Sequence, residues 1–128
     1  TNYYWKVTPK GEIDTEGGLY LSSHDLAKIG YLMLHQGKWG DKQILSADWV
    51  ENSLRPHVTF NEKSGYGYQW WTDPRYSVGF WGLGYAGQLF ALNPESGKIL
   101  LKFSYRDDKG SALNILKLFK IWNEISHK

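Results

Sequence analysis

Residues 88–105 read QLFALNPESGKILLKFSY, in which two apolar runs flank a short polar segment. The runs Gln88–Leu92 and Ile99–Tyr105 are rich in residues that favour strands. The segment between them, Asn93–Lys98, carries Pro and Gly, which are typical of a hairpin loop. The pattern therefore predicts two adjacent antiparallel strands.

Upstream of this hairpin the sequence predicts two more strands. Tyr66–Trp71 is dominated by aromatic residues, and Asp73-Pro74 ends it. Val78–Trp81 is the second candidate. A turn at Asp107–Gly110 follows the last strand.

Three helices are predicted around these strands. Ser22 can cap a helix with Asp25 three residues later, and that helix ends at Gly37. Its apolar face is thin, because Gly30 allows a close approach of another element. Ser46 caps a second helix, which ends at Arg55-Pro56. Ser111 caps a third, with apolar positions at Leu113, Leu116, Ile121 and Ile125.

The order of these elements predicts an α+β fold, with helices packed on an antiparallel sheet of three to four strands. Residues 1–18 are polar, are punctuated by Gly and Pro, and are predicted to be loop. The length of 128 residues fits one domain. We found no repeat and no linker inside the chain.

Composition excludes several classes of protein. The chain has no cysteine, so it can use neither a disulfide framework nor a thiolate nucleophile. A net charge of +2 does not predict nucleic-acid binding. No apolar run reaches the ~18–20 residues that cross a bilayer. Because the chain begins at Thr1 and its single methionine is Met33, we expect that residues preceded Thr1.

Two motif tests are negative. The segment GLGYAG at residues 82–87 matches the dinucleotide fingerprint, and Asp107 lies 20 residues beyond it. That function needs a helix directly after Gly87, whereas a strand is predicted there. The four histidines have no metal-ligand spacing, so we expect no metal site.

An aromatic cluster leaves two interpretations open, a surface that stacks on sugars or a buried core. Since alternate residues of a strand face opposite ways, Trp70 and Trp71 cannot both line one surface, and the core is favoured. The cluster comprises Tyr66, Tyr68, Trp70, Trp71, Trp81 and Tyr85.

Taken in order, several segments resemble the serine hydrolases related to class C β-lactamases, closest to the branch of esterases, 6-aminohexanoate-oligomer hydrolases and penicillin-binding-protein-like proteins. The segments are EGGLYLSSHDLAKIG (16–30), GKW (37–39), ILSADWV (44–50), GYGYQWW (65–71) and GYAGQ (84–88). The resemblance implies that residues 1–128 are a C-terminal fragment of a β-lactamase-like catalytic domain, an incomplete part of that fold.

The resemblance also implies an acyl-serine mechanism without metal or cofactor. The family's nucleophile lies in an S-x-x-K motif and its base includes the Tyr of a Y-x-N motif, and this sequence contains neither. Its third motif, K-T-G or a looser variant, corresponds to Tyr85-Ala86-Gly87, which lacks the lysine and the hydroxyl. This departure fits an esterase or amidase better than a β-lactamase.

In this interpretation the backbone N–H of Gln88 is the oxyanion donor that the chain contributes. Substrate-binding residues are predicted at Trp81, Gly84, Tyr85, Ala86 and Gly87. The fragment alone is expected to be inactive and marginally stable.

The expected partners are a small ester or amide substrate, the missing N-terminal part of its own domain, and a second copy paired through an open strand edge near Tyr85–Leu92 or its neighbour. The family favours the periplasmic or extracellular side of a bacterial envelope. Two alternatives stay open: a non-enzymatic module that binds glycans or cell-wall polymers, and a degenerate interaction domain.

Overall fold

The computed structural model describes residues 2–76, 79–104 and 115–126, and for Ile115, Leu116 and Ser126 it describes the backbone only. Within these residues there are ten strands and three helices. They are β1 (Tyr4–Trp5), β2 (Leu19–Tyr20), α1 (Ser23–Leu34), β3 (Lys38–Trp39), β4 (Lys42–Gln43), α2 (Ala47–Leu54), β5 (Val58–Thr59), β6 (Gly65–Tyr66), β7 (Trp71–Thr72), β8 (Phe80–Gly84), β9 (Gln88–Asn93), β10 (Lys98–Lys102) and α3 (Ile115–Ser126).

The main sheet confirms the predicted α+β class. It has six strands in the order β10-β9-β8-β7-β6-β5, and every neighbouring pair is antiparallel. The predicted number of three to four strands is too low, because two-residue strands are too short to show an alternating pattern.

The hairpin β9–β10 is confirmed, with Leu92 opposite Ile99 and Ala91 opposite Leu100. In its loop the N–H of Ser96 donates to Asn93 Oδ1 at 3.0 Å, and Gly97 supplies a positive φ of 63°.

The prediction of one continuous strand over Tyr66–Trp71 is wrong. The segment turns back on itself, so that Tyr66 faces Trp71 across the ladder, and the N–H of Gly67 donates to Trp70 O at 2.8 Å. Gln69 takes a φ of 69° in the turn. A Cβ on Gly67 would lie 2.3 Å from Ser53 O, so the turn packs directly against the end of α2.

Both predicted N-caps of the first two helices are confirmed. Ser22 Oγ accepts from the N–H of Asp25 at 3.1 Å, and Ser46 Oγ accepts from the N–H of Trp49 at 3.1 Å. For the third helix, the predicted cap Ser111 and the apolar position Leu113 lie outside the described residues, as does the Asp107–Gly110 turn.

The prediction that residues 1–18 are loop is incomplete. Strand β1 pairs with β2 beyond this segment, and Val7 forms an isolated bridge with Ile13. The connector after α1 likewise contains a short hairpin, β3–β4. None of the described helices is both long and apolar enough to cross a bilayer.

The core lies on both faces of β9, since alternate residues of a strand point in opposite directions. Leu89 and Ala91 are buried with Trp81 and with Phe119 and Trp122 of α3.

Leu92 is buried on the other face, in a cluster with Met33 of α1, Val50 of α2 and Trp70, and Phe90 packs against that cluster. Helices α1 and α2 therefore cover one face of the sheet, and α3 covers the other.

The structure favours the core interpretation for part of the aromatic cluster. Trp70 and Trp81 are each 8% exposed, and Trp71 packs against the α3 side of the core. Tyr68 and Tyr85 are exposed.

Gly30 sets the distance between α1 and the sheet, as its position in the sequence predicts. A Cβ there would lie 3.0 Å from Ile99 Cδ1, 3.0 Å from Phe90 Cε2 and 3.1 Å from Leu92 Cδ2. Helix and sheet therefore meet with no room for a larger side chain.

Asp73 joins the end of β7 to the start of β6. Its carboxylate is buried and accepts from Arg75 Nε at 2.9 Å and from Ser64 Oγ at 2.7 Å. The hydrogen bonds from Arg75 lower the pKa of this carboxyl below its ordinary value, with a smaller contribution from Ser64.

We predict that Gly30→Val destabilises the fold by about 1–3 kcal/mol, because the branched side chain has to push α1 off the sheet. The matched control is His24→Val, on the exposed surface of the same helix, which we expect to cost less than about 0.5 kcal/mol. Urea unfolding measures both variants. Equal effects would contradict close packing at Gly30.

We predict that Asp73→Asn lowers stability at pH 7 by about 1.5–3 kcal/mol, the usual value of hydrogen bonds to a charged group. Since the folded pKa is lowered, the contribution of Asp73 is complete above its unfolded pKa of about 3.9. It falls as the pH drops below that value and is gone once the pH has passed the folded pKa. Measured from pH 7 to pH 2, the stability difference between the two proteins should therefore narrow below about pH 4. A constant difference across that range would contradict this role.

Candidate active-site cleft

A cleft of about 280 Å³ opens where the end of β8 meets the start of β9. Helix α1, the β6–β7 hairpin, β8, β9 and the end of β10 all contribute to its wall. The lining residues are Leu26, Tyr66, Gln69, Trp70, Gly82, Leu83, Gly84, Gln88, Leu89, Phe90, Lys102 and Phe103.

The cleft wall is mainly apolar and carries one charge. Among the described residues that line the cleft, Lys102 is the one charged residue, and no Asp or Glu is present. Such a surface suits an uncharged reacting group, with a few polar groups to orient it.

The predicted third motif forms a tight turn between two of the lining residues. Tyr85–Gly87 forms a tight turn that joins β8 to β9, with Gly84 before it and Gln88 after it. Ala86 has φ 60° and ψ 20°, and Gly87 has φ 80°. Two consecutive residues are thus in the left-handed region, which is costly for Ala and free for Gly.

The structure brings part of the predicted site together at the cleft. Gly84 and Gln88 line it, and the turn of Tyr85, Ala86 and Gly87 lies between them, with Tyr85 76% exposed. Trp81 lies elsewhere. It is buried against Phe119 with ring centroids 5.3 Å apart, on the α3 side of the sheet.

The backbone N–H of Gln88 has a partner within the turn. It donates to Tyr85 O and closes the turn. To donate to a substrate oxygen, this N–H would have to share or exchange that bond. The role of Gln88 as an oxyanion donor stays a prediction.

Sequence reasoning missed the polar residues behind the turn. Lys102 Nζ donates to Gly87 O at 2.9 Å, and Ser104 Oγ donates to Ala86 O at 2.5 Å. Neither residue belongs to a motif, and their distance in sequence from the turn hides the contact. The register of β10 with β9 could have revealed it, since Lys102 pairs with Leu89 next to the turn.

Gln69 was missed for a different reason. The sequence favours a continuous strand at Gln69, whereas its positive φ in the β6–β7 turn brings it to the cleft wall. Across residues 2–76, 79–104 and 115–126, no group of three metal-binding side chains is present.

Comparison with known proteins supports the β-lactamase-like hydrolase family that the motifs predict. The chain is 31% identical over 99 residues to the 6-aminohexanoate-dimer hydrolase of Paenarthrobacter ureafaciens, a match that covers 69% of this chain and 25% of that protein. The chain thus spans about a quarter of the length of this curated relative. No family model matches the chain.

The fold is shared with a solved structure. A presumed 6-aminohexanoate-dimer hydrolase from Bacillus anthracis superposes with a TM-score of 0.75 at 24% identity, covering 98% of this chain and 33% of that one. The α+β arrangement described above therefore matches an incomplete β-lactamase-like fold.

We predict opposite effects for two adjacent substitutions in the turn. Ala86→Gly should stabilise the protein by roughly 0.5–1 kcal/mol, because it relieves a left-handed Ala. Gly87→Ala should cost about 1–2 kcal/mol, because it creates the same strain at the next residue. A Cβ on Gly87 would lie 3.4 Å from Lys102 Nζ, an ordinary contact, so strain and not a clash decides the cost. Thermal unfolding measures both. Destabilisation by Ala86→Gly would contradict this geometry.

Proposed function

We propose that this chain is the C-terminal portion of a serine hydrolase that cleaves an amide or ester through an acyl-serine intermediate. The observation that carries the proposal is the Gly84–Gln88 turn, which resembles the third motif of the family and borders the cleft. The name of the 31% identical relative favours a linear amide as the substrate class.

The chain's part in this mechanism is to build one wall of the active site. The sequence has neither S-x-x-K nor Y-x-N, so nucleophile and base come from residues outside these 128. The apolar wall holds the acyl chain of the substrate and excludes water around the reacting carbonyl.

Gln88 contributes a backbone donor. An oxyanion in the tetrahedral intermediate accepts from the Gln88 N–H, which exchanges its bond to Tyr85 O for this stronger acceptor. One such donor is worth about 3–4 kcal/mol in the transition state. The second donor is the N–H of the nucleophilic serine.

The edge of the sheet supports the proposed partner. Among the described strands, β10 pairs with β9 alone, so its other edge can accept a strand. We propose that the preceding part of the same domain adds there, and that a second copy of the chain takes this place when that part is absent. The family resemblance favours the periplasmic or extracellular side of a bacterial envelope as the location.

A second candidate function rests on an exposed aromatic surface. Tyr68 stacks on the ring of His57 with centroids 4.5 Å apart, and it contacts Trp49 at 5.6 Å. Tyr68 and Trp49 are about half exposed. Sugar rings stack on such surfaces, so a saturable change in Trp fluorescence with soluble oligosaccharides, abolished by Trp49→Ala, would favour a glycan-binding module.

We predict that a fluorophosphonate probe labels the protein that includes the residues preceding Thr1, at one serine upstream of Thr1. The 128-residue chain alone should stay unlabelled, because none of its ten serines has a lysine at the third position after it. Intact-mass and peptide mass spectrometry measure the adduct. Stoichiometric labelling of a serine within residues 1–128 would overturn the proposal.

A further inference from the structure

A polar network at the end of β10 holds the turn that borders the cleft. Lys102 Nζ donates to Gly87 O at 2.9 Å and to Ser104 Oγ at 3.0 Å. Ser104 Oγ in turn donates to Ala86 O at 2.5 Å. The two carbonyl groups of the left-handed pair are therefore both bound by side chains from one segment of the chain.

A second link joins the same segment to the cleft wall. Gln88 Nε2 donates to Ser104 O at 2.7 Å, and the N–H of Ser104 donates to Gln88 Oε1 at 3.2 Å. This reciprocal pair fixes the side chain of Gln88. It also holds Ser104 against the turn, where its hydroxyl reaches Ala86 O.

The backbone of the turn needs such support. A left-handed Ala followed by a left-handed Gly is not a conformation that the local sequence favours, and it persists where the surroundings hold it. The carbonyl groups of Ala86 and Gly87 point at donors, one of them cationic, and charge-assisted bonds are the stronger kind. Lys102 and Ser104 thus determine which way the peptide groups on either side of Gly87 face.

We propose that Lys102 and Ser104 are positioning residues for hydrolysis, which set the orientation of the Gly87–Gln88 peptide group at the cleft. The effect on catalysis rests on the function proposed above, whereas the effect on the turn does not. Lys102 acts through the backbone of the turn. Its removal should therefore change the rate of the chemical step more than the binding of substrate.

The first experiment measures amide hydrogen exchange in the 128-residue chain, residue by residue. Lys102→Met keeps the aliphatic stem and removes the donor, and we expect exchange at Gly87 and Gln88 to rise about tenfold while exchange in the centre of β9 is unchanged. Ser104→Ala, which removes one bond to the turn, should act in the same direction and serves if Lys102→Met does not fold.

The matched control is Lys98→Met, on the same strand. Lys98 Nζ donates to Ile125 O at 2.8 Å, so the control loses a cation and a hydrogen bond to backbone away from the turn. It should leave exchange at Gly87 and Gln88 unchanged. Unaltered exchange at these two residues in Lys102→Met, or an equal rise throughout the sheet, would overturn the positioning role.

The second experiment uses the protein with its preceding residues and a p-nitrophenyl ester as the probe substrate. Lys102→Met should lower kcat about tenfold to 100-fold with KM changed less than about twofold, and Lys102→Arg should restore most of the rate. Lys98→Met should match the wild type. A rise in KM at unchanged kcat would overturn the catalytic effect.

The two proposals fail separately. If the wild-type protein forms no acyl-serine, the proposed function is wrong, and the exchange measurement alone decides whether Lys102 and Ser104 hold the turn.

Discussion

The burial of both faces of β9 is the constraint on which the rest of this structure depends. Leu89 and Ala91 lie against α3, while Leu92 packs with α1 and α2. A shift of β9 by one residue would exchange its two faces and bring side chains of different size against each helix layer, so close packing specifies its register. The positions of β8 and β10 follow from that register, and so does the turn at Tyr85–Gly87.

The close approach of α1 to the sheet links the packing of β9 to the wall of the cleft. Gly30 brings the helix within contact distance of Phe90 and Leu92, and Leu26, one turn earlier, reaches the cleft wall. The same sheet face that forms the core under α1 therefore becomes the floor of the cleft where the helix begins. Core and candidate site are parts of one surface.

The sequence was sufficient to predict the elements that depend on hydrogen bonds between residues close to one another in the chain. The caps at Ser22 and Ser46 and the Asn93–Lys98 loop depend on contacts within a few residues, and all are present. The hairpin inside Tyr66–Trp71 could not be predicted in this way. Its aromatic composition favours a strand, but the packing of Gly67 against Ser53 imposes a turn.

The candidate site likewise contains one segment that the sequence predicts and a set of contacts that it does not. The Gly84–Gln88 segment was identified from its resemblance to a motif, and the structure places it at the cleft. The network of Lys102, Ser104 and Gln88 was not predictable, because it joins these residues to the turn across 15 to 18 positions that only the strand register brings together. The prediction of Trp81 as a substrate-binding residue is wrong: aromatic residues suit both cores and binding sites, and its neighbours on α3 place it in the core.

The central claim is that this chain supplies the cleft wall and one oxyanion donor to a serine that lies outside it. A crystal structure of the protein with its preceding residues, after reaction with a phosphonate ester, tests it most directly. The account predicts a phosphonyl-serine whose oxygen lies within hydrogen-bond distance, about 2.7–3.1 Å, of the Gln88 backbone nitrogen, beside Gly84. An adduct remote from the Tyr85–Gln88 turn, or no adduct on any serine, would contradict it.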